Sequence, residues 1–397
     1  MSGKYNFDEN INRRGTSCLK YDFGMKRKGR EDLLPLWVAD MDFKLQDEIL
    51  EDFHKRIDHG IFGYTDPDEE YYAALDRWFS VHHGYHIEPE TVTVGCGVVY
   101  GLATGVKAFT EVGDSIIIQQ PVYYPFREVI EDNGRRFINN QLHYENGRYT
   151  IDFEDFEQKI INNNVKVFIL CNPHNPVGRV WTKEELERLG DICLKHNVII
   201  MDDEIHCDFS FPGYKVTSFM TLDKKYQENL VLYTSPSKTF NVAGLQPANI
   251  IIKNEKLRAK YRKANAATGY SQGNIMGMLA VKSVYTKGDE WVKELVEYIT
   301  GNMQYFKEFV KENFPKAHFV EPEGTYLLWV DFSGYGFTDE ELDHIMVEEA
   351  RLWLDSGKIF GPATAQFERF NVACPRATVE QALKQLKAAI DSHQKWD

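Results

Sequence analysis

The sequence predicts an α/β fold, with a large domain built on a mostly parallel sheet and a smaller α+β domain. Three observations support this prediction. The chain has 397 residues, which is too long for one ordinary hydrophobic core. Short apolar runs rich in β-branched residues alternate with helical patterns through its middle. The C-terminal third instead mixes helical stripes with isolated strand-like pieces, which indicates a second domain.

Six apolar runs are predicted as strands of the large domain. The helix between two of them can be read clearly, because Thr182 and Glu185 have the spacing of a capping box and an apolar stripe follows. A strand, a helix and a strand in this order predict a right-handed crossover and a parallel sheet covered on both faces. The six runs are TVTV (91–94), SIIIQ (115–119), VKVFILC (165–171), NVIIM (197–201), NLVLYT (229–234) and ANIII (248–252).

The C-terminal third predicts the smaller domain. Capping boxes are predicted at Thr338 with Glu341 and at Thr378 with Gln381, each opening a helix. The strand-like pieces GTYLLWVDF and RFNVACP lie in the same region. We therefore predict a large domain over residues 46–285 and a small domain formed by residues 1–45 and 286–397.

Charge and composition disfavour several classes of partner. Lys plus Arg is 46 and Asp plus Glu is 60, giving a formal net charge of -14 without a basic tract, so nucleic acid is not expected. The first residues lack the apolar core of a signal peptide, and no apolar run is long enough for a membrane span. We expect a cytoplasmic protein. Its six cysteines are widely spaced with no C-x-x-C pair, which favours reduced packing thiols over metal ligands.

Residues directly after the strands are the candidates for a ligand site, because ligands of open parallel sheets lie at the carboxyl ends of the strands. After TVTV, Gly97 precedes a helix that begins near Val98, and free N–H groups at a helix start favour a phosphate. Asp203 follows NVIIM, and Lys238 follows NLVLYT. A phosphate site, a carboxylate and an amine on one rim suit the phosphate, ring nitrogen and aldehyde of pyridoxal 5'-phosphate.

Each of these residues also has an ordinary interpretation. Lys238 alone could be an exposed loop lysine, and Asp203 could cap a helix. The segment GCGVVYG is close to a dinucleotide-binding motif, but no acidic residue at the end of a following strand supports that reading. His206 could be either a core histidine or a contact of a bound ring. The combination of these residues favours pyridoxal phosphate more than any one of them does.

Six segments occur in an order that resembles the class I and II aminotransferase family of fold type I pyridoxal phosphate enzymes. The resemblance spans nearly the whole chain. PLWVADMDF and SKTFNVAGLQ are most similar to the branch of that family that contains cystathionine β-lyase and related cysteine carbon–sulfur lyases. The six segments are GCGVVYGL, QPVYYPF, CNPHNPVGRVWT, DDEIHCDF, SPSKTFNVAGLQ and FNVACPR.

The resemblance implies a role for each residue at the cofactor. Lys238 would form the Schiff base with the cofactor and carry the proton to and from Cα. Asp203 would pair with the ring nitrogen, Asn175 would donate to the ring 3-hydroxyl, and Tyr123 would stack on the ring. Tyr64 would reach the phosphate of a neighbouring subunit, and His206 would contact the cofactor at a position where relatives often carry a tyrosine. The other implied cofactor contacts are Gly97, Val98, Val99, Ser235 and Ser237.

The resemblance also implies the substrate contacts. Arg376 in FNVACPR would bind the substrate carboxylate, because a planar guanidinium can hold a carboxylate by two hydrogen bonds. Asn175, Tyr64 and Tyr326 would lie against the substrate, with the segment WVADMDF (37–43) as a further pocket wall. No metal is expected. Many aminotransferases carry a phosphate-binding arginine eight positions after the lysine, but this position is Gln246, which favours the lyase branch.

The predicted function is pyridoxal phosphate-dependent β-elimination on a small sulfur amino acid, cystathionine or cysteine-like, giving a thiol, pyruvate and ammonia. An aminotransferase that uses the same cofactor is the alternative enzyme. A pyridoxal phosphate-binding regulatory protein without physiological turnover is a second alternative. A homodimer with shared active sites is expected, and the sequence leaves the preferred sulfur substrate open.

Overall fold

The structure, a computed structural model, describes residues 3–393. Its strands are β1 Leu34–Pro35, β2 Val92–Cys96, β3 Ser115–Ile118, β4 Arg136–Asn139, β5 His143–Glu145, β6 Arg148–Thr150, β7 Val165–Cys171, β8 Ile199–Asp203, β9 Leu230–Thr234, β10 Pro247–Ile251, β11 His318–Val320, β12 Leu327–Asp331, β13 Leu352–Trp353, β14 Asp355–Ser356 and β15 Phe367–Asn371. Its α-helices are α1 Gly24–Lys28, α2 Asp47–His59, α3 Glu69–His82, α4 Val98–Phe109, α5 Pro125–Glu131, α6 Phe153–Asn163, α7 Lys183–Lys195, α8 Glu255–Ala267, α9 Ile275–Lys287, α10 Asp289–Asn313, α11 Asp339–His344 and α12 Arg376–His393.

A seven-stranded sheet with the order β2-β10-β9-β8-β7-β3-β4 contains all six predicted strands. Strand β10 is antiparallel to both of its neighbours, and the other strands run in one direction. The edge strand β4 was not predicted, because RRFINN is short and polar at its ends. With this order the carboxyl ends of β2, β9, β8 and β7 lie along one edge of the sheet.

Alternate residues of β7 belong to two different hydrophobic cores, one on each face of the sheet. Phe168 and Leu170 pack into one core, whereas Val167 and Ile169 pack into the other. Side chains alternate between the faces of a strand, so a strand covered on both faces is apolar at its covered positions. This explains why VKVFILC is apolar at every position except Lys166, which is only half-buried.

The predicted helix starts are confirmed in two of three cases. Thr182 and Thr338 each form both hydrogen bonds of a capping box, with Glu185 and Glu341 respectively. The third prediction is wrong, because α12 begins at Arg376 and Thr378 lies inside the helix. The carbonyl of Pro375 accepts from the N–H of Thr378 at 2.9 Å, so the helix starts directly after the proline, as the missing N–H of proline allows.

A second sheet, antiparallel throughout, has the order β11-β12-β15-β14 and lies in the C-terminal third. The N-terminal segment joins this part of the chain through β1, which pairs in parallel with β13. The division into residues 46–285 and residues 1–45 with 286–397 stays a prediction, and residues 1–2 and 394–397 of the small domain lie outside the described residues.

Within residues 3–393, no helix combines the length and apolar character needed to cross a membrane. All six cysteines are free thiols, and Cys171, Cys193, Cys207 and Cys374 are buried. Their burial agrees with packing roles for these four thiols.

Candidate active site

A cavity of about 250 Å³ lies at the carboxyl ends of the central strands. Its lining includes Gly97 after β2, Cys171 at the end of β7, Asp203 at the end of β8, and Lys238 after β9. A larger surface cleft of about 760 Å³ lies elsewhere, between α2, α3 and α9, and is lined largely by charged surface side chains. The smaller cavity is the candidate active site, because parallel strands bring the predicted amine, carboxylate and helix start to one edge.

The amine of Lys238 is held by a backbone carbonyl. Its Nζ donates to the carbonyl oxygen of Ala39 at 2.6 Å. Burial lowers the pKa of Lys238 to about 8, with Arg369 acting in the same direction and with Asp40 and Asp203 opposing it. An amine with this pKa is partly neutral near physiological pH, as a nucleophile and proton carrier must be.

Asp203 is 3% exposed, and its Oδ1 accepts the backbone N–H of Ile205 at 3.0 Å. Burial raises the pKa of Asp203 to about 7, because a single N–H and the nearby Lys238 only partly compensate for lost hydration. A cationic group placed against this carboxylate would restore its charge. A protonated ring nitrogen is such a group, and it would itself be stabilised by Asp203.

The start of α4 faces the same cavity. Gly97 has φ 86°, a left-handed value that favours glycine, and a Cβ added there would meet no heavy atom within 4 Å. Val98 and Val99, the first residues of the helix, line the cavity. The first N–H groups of a helix have no partner within it, so this arrangement suits a phosphate.

Two serine hydroxyls lie beside that helix start. Ser237 lines the cavity, and its backbone N–H donates to the Oγ of Ser235 at 3.0 Å. The Ser235 hydroxyl donates to the carbonyl of Pro247 at 2.5 Å and is itself buried behind Ser237. Gln246 also lines the cavity, and its Oε1 accepts from the Sγ of Cys96 at 3.1 Å. The end of the cavity at the start of α4, where a phosphate would bind, is therefore uncharged. It offers backbone N–H groups, hydroxyls and an amide.

Tyr123 and Asn175 form one wall of the cavity. The backbone N–H of Tyr123 donates to the carbonyl of Asn175 at 3.0 Å, which ties the two residues together. The Tyr123 ring also belongs to an aromatic cluster, with centroids 5.5 Å from Tyr124 and 5.9 Å from Phe126. The Oδ1 of Asn175 accepts from Arg369 at 3.0 Å, so the amide is left with Nδ2 as its donor toward a ligand.

His206 and Tyr326 lie on the side of the cavity near Lys238. His206 lines the cavity, is 3% exposed and packs edge-on against Tyr326 at 5.5 Å. Burial lowers the pKa of His206 well below its usual value, so its ring is neutral. The Tyr326 hydroxyl donates to the Ala39 carbonyl at 3.0 Å, the same oxygen that accepts from Lys238.

Four of the predicted residues are absent from the lining of this cavity. Ser235 and Tyr326 form hydrogen bonds with the lining residues Ser237 and Ala39, whereas Arg376 and Tyr64 have other surroundings. Arg376 opens α12, where its Nε donates to Asn302 at 2.8 Å and its guanidinium lies over the Tyr305 ring at 4.8 Å. Tyr64 is 97% exposed in a segment without regular structure. Within one chain, the Arg376 side chain thus contacts Asn302 and Tyr305, neither of which lines the cavity.

Arg369 instead borders the cavity through its hydrogen bond to the lining residue Asn175, and the sequence reading missed it. It sits on β15 and is 2% exposed, and its guanidinium donates to Asn175 and to the carbonyl of Trp37 and pairs with Asp355. Its buried Nε has no hydrogen-bond partner among the described residues. A buried arginine with an unused donor suits a carboxylate ligand. The available signal was the arginine that opens the strand-like run RFNVACP, since it directly precedes residues expected to be buried.

These residues fit pyridoxal phosphate together with an amino acid. The cavity offers an amine for the aldehyde, a buried carboxylate for the ring nitrogen, and a helix start for the phosphate. Arg369 adds an anion site beside Asn175.

Comparison with known proteins agrees with this geometry. Residues 31–386 match the family model for aminotransferases of class I and II. The chain is 42% identical over 385 residues to the cystathionine beta-lyase PatB of Bacillus subtilis, covering 97% of this chain and 100% of that protein. It is 31% identical over 388 residues to the protein MalY of Escherichia coli, covering 97% of this chain and 99% of MalY.

Solved structures are similar over nearly the same length. Cystalysin from Treponema denticola, which contains pyridoxal 5'-phosphate, has 36% identity and a TM-score of 0.95, covering 98% of this chain and 99% of that one. A pyridoxal phosphate-bound C–S lyase from Staphylococcus hominis has 33% identity and a TM-score of 0.89, covering 97% and 98%. The predicted fold class, the fold type I architecture, is confirmed.

We expect the Lys238 amine to titrate far below an ordinary lysine. In cofactor-free protein, trace acetylation followed by mass spectrometry over a pH series should give a midpoint of about 8 for Lys238, whereas a lysine peptide in the same tube should titrate at roughly 10.4. The Asp203→Asn variant should shift the Lys238 midpoint lower, because the carboxylate raises this pKa. If Lys238 and the peptide label in parallel, the desolvation argument is wrong.

Proposed function

The chain belongs to the class I and II aminotransferase family, and from this premise we propose that it catalyses β-elimination of sulfur amino acids with pyridoxal 5'-phosphate as cofactor. The enzyme acts on a small amino acid and releases a thiol, pyruvate and ammonia. The observation that carries the proposal is the placement of Lys238, Asp203 and Asn175 around one cavity in a chain whose similarity to a cystathionine β-lyase runs from end to end.

When bound, pyridoxal phosphate supplies an electron sink for the negative charge left on Cα after its proton is removed. The roles that follow belong to this chain's own residues. Asp203 holds the proton on the ring nitrogen, which keeps that sink effective. The N–H groups of Val98 and Val99 and the hydroxyl of Ser237 bind the phosphate, and Tyr123 covers the ring.

Lys238 removes the Cα proton and holds it at Nζ. The pKa of about 8 allows the amine to accept this proton and later to release it. Ala39 provides the carbonyl that orients Nζ, and Tyr326 shares that carbonyl. Arg369 binds the substrate carboxylate through its unused Nε–H, which fixes the amino acid relative to Lys238.

Elimination rather than transamination requires a leaving group on Cβ and residues that fix the direction of its bond. A thiolate leaves far more readily than an amine or hydroxide. We propose that the Trp37–Phe43 segment and Tyr326 fix the direction of the Cβ–S bond. Ala39 of this segment lines the cavity, and the Tyr326 hydroxyl donates to the Ala39 carbonyl. An aminotransferase would use the same lysine and carboxylate, so reaction products separate the two activities.

We further propose a homodimer with shared active sites. Ile61, Phe62 and Tyr64 are 65%, 58% and 97% exposed in one short segment, and Ile57 at the end of α2 is 52% exposed. Adjacent exposed apolar side chains of this kind mark protein–protein contacts. In the proposed dimer Tyr64 would bind the phosphate of the partner subunit, which suits a phosphate site without its own cation. A cytoplasmic location stays a prediction.

The reaction itself is tested by products without a keto-acid acceptor. We expect L-cystathionine or S-methyl-L-cysteine to give pyruvate over many turnovers per site, measured with lactate dehydrogenase, because elimination regenerates the cofactor. Lys238→Ala should abolish pyruvate formation. One conversion per site without further pyruvate, with aspartate and 2-oxoglutarate reacting much faster, would replace the lyase with an aminotransferase. A loaded protein that converts neither substrate would instead support the regulatory alternative.

The carboxylate site is tested by a matched pair of variants. Arg369→Lys should raise KM by about 10- to 100-fold for every amino-acid substrate, because lysine cannot reproduce the guanidinium's hydrogen bonds to a carboxylate. Arg376→Lys should leave KM near the wild-type value, since Arg376 contacts Asn302 and Tyr305 rather than the cavity. The reverse pattern would place the carboxylate at Arg376.

Shared sites are tested by mixing two impaired variants. Lys238→Ala and Tyr64→Ala homodimers should each be weak, whereas subunit exchange should recover about a quarter of wild-type activity, because half of the dimers then contain one intact site. Mixing Lys238→Ala with Asp203→Asn should recover none, since each mixed dimer has a defect in both sites. Equal recovery in both mixtures, or in neither, contradicts the shared-site arrangement.

A further inference from the structure

A second groove of about 550 Å³ lies beside the active site, and the proposed chemistry does not use it. We call it the tryptophan groove, and define it by Arg27, Trp37, Tyr124, Glu128, Trp353 and Lys358. The rings of Trp37 and Trp353 stack with centroids 4.5 Å apart and planes 10° from parallel. The Arg27 guanidinium lies 5.4 Å from the centre of the Trp37 ring. The two rings are 6% and 4% exposed, so the groove has a packed aromatic base with the Arg27 cation over it.

Arg369, the proposed carboxylate site, connects the cofactor cavity to the tryptophan groove. Arg369 donates through Nη1 to Asn175, which lines the cofactor cavity, and through Nη2 to the carbonyl of Trp37, which lines the groove. The rings of Tyr123, in the cavity, and Tyr124, in the groove, are 5.5 Å apart. An amino acid held by Arg369 would therefore have the groove within reach of a long side chain.

The charges of the tryptophan groove are only partly paired. Asp355 pairs with Arg369, and Lys28 lies 3.6 Å from Asp343, so these four charges are accounted for. Arg27, Lys358 and Glu128, which also line the groove and are exposed, form no ion pair with any residue between 3 and 393. The groove therefore offers two cations and one carboxylate to a ligand.

We propose that the tryptophan groove binds the distal amino-acid end of a long thioether substrate. Its distal carboxylate lies against Arg27 and Lys358, and its distal ammonium group faces Glu128. This inference rests on the proposed β-lyase function and narrows its substrate class to thioethers with a second amino-acid head, such as cystathionine, over cysteine and short S-alkyl cysteines. Arg27 is then a specificity-determining residue.

Three thioethers that share the same Cβ–S bond test the subsite on the holoenzyme. L-Cystathionine has both distal charges, S-(3-carboxypropyl)-L-cysteine keeps only the distal carboxylate, and S-ethyl-L-cysteine has neither. We expect wild-type kcat/KM to fall in this order. Arg27→Gln should lower kcat/KM about tenfold for the first two substrates, through KM with kcat retained, and leave S-ethyl-L-cysteine within about twofold.

Two further variants complete the experiment. Lys26→Gln is the matched control, because Lys26 is exposed on the same helix and does not line the groove, and it should behave as wild type with all three substrates. Glu128→Gln should weaken L-cystathionine alone, because only that substrate has a distal ammonium group.

The outcomes separate the subsite from the reaction. If the wild type eliminates from S-ethyl-L-cysteine and Arg27→Gln changes all three substrates equally or none, the subsite is overturned and the lyase function stands. If the wild type forms pyruvate from none of the thioethers, the lyase function is overturned and the subsite with it.

Discussion

The backbone of residues 37–43 is the element on which the placement of the reactive groups depends. The carbonyl of Ala39 accepts from both Lys238 and Tyr326, and the carbonyl of Trp37 accepts from Arg369. The lysine that follows a strand of the central sheet and the arginine on a strand of the C-terminal sheet are thus positioned against one segment. Any shift of that segment would change the distance between proton carrier and carboxylate site, which catalysis tolerates poorly.

The site also depends on charges that are only partly compensated. Burial raises the pKa of Asp203 to about 7 and lowers that of Lys238 to about 8, so both groups are held near the point where they gain or lose a proton. Arg369 keeps a donor unused although it is buried, and Asp355, whose pKa burial raises, balances its charge. The free-energy cost of burying Asp203, Lys238 and Arg369 with incomplete partners is offset when a cofactor and an amino acid bind to these groups. Ligand binding is in this way coupled to the stability of the site.

The central fold could be predicted because its signals are local. The run at β7 is apolar at every position except Lys166, since both faces of the sheet are covered, and the capping box of Thr182 lies within one turn of the chain. The same kind of signal was misleading at Thr378. Thr378 and Gln381 have the spacing of a capping box, but the helix begins two residues earlier, directly after Pro375. The strand β4 was missed because an edge strand needs less apolar sequence than a central one.

The sequence by itself determined which residues follow the parallel strands, and hence that Lys238 and Asp203 share one rim, because parallel strands must end at the same edge of a sheet. It pointed to Arg376 of ERFNVACPR and not to Arg369, although the two arginines flank the same strand-like run. Only the tertiary structure separates them, by placing Arg369 on β15 beside Asn175 and Arg376 on a helix against Asn302, and the proposal of Arg369 as the carboxylate site rests on this placement. The physical reason is that the partners of each arginine come from distant parts of the chain, and sequence spacing contains no information about which distant backbone will pack against which side chain.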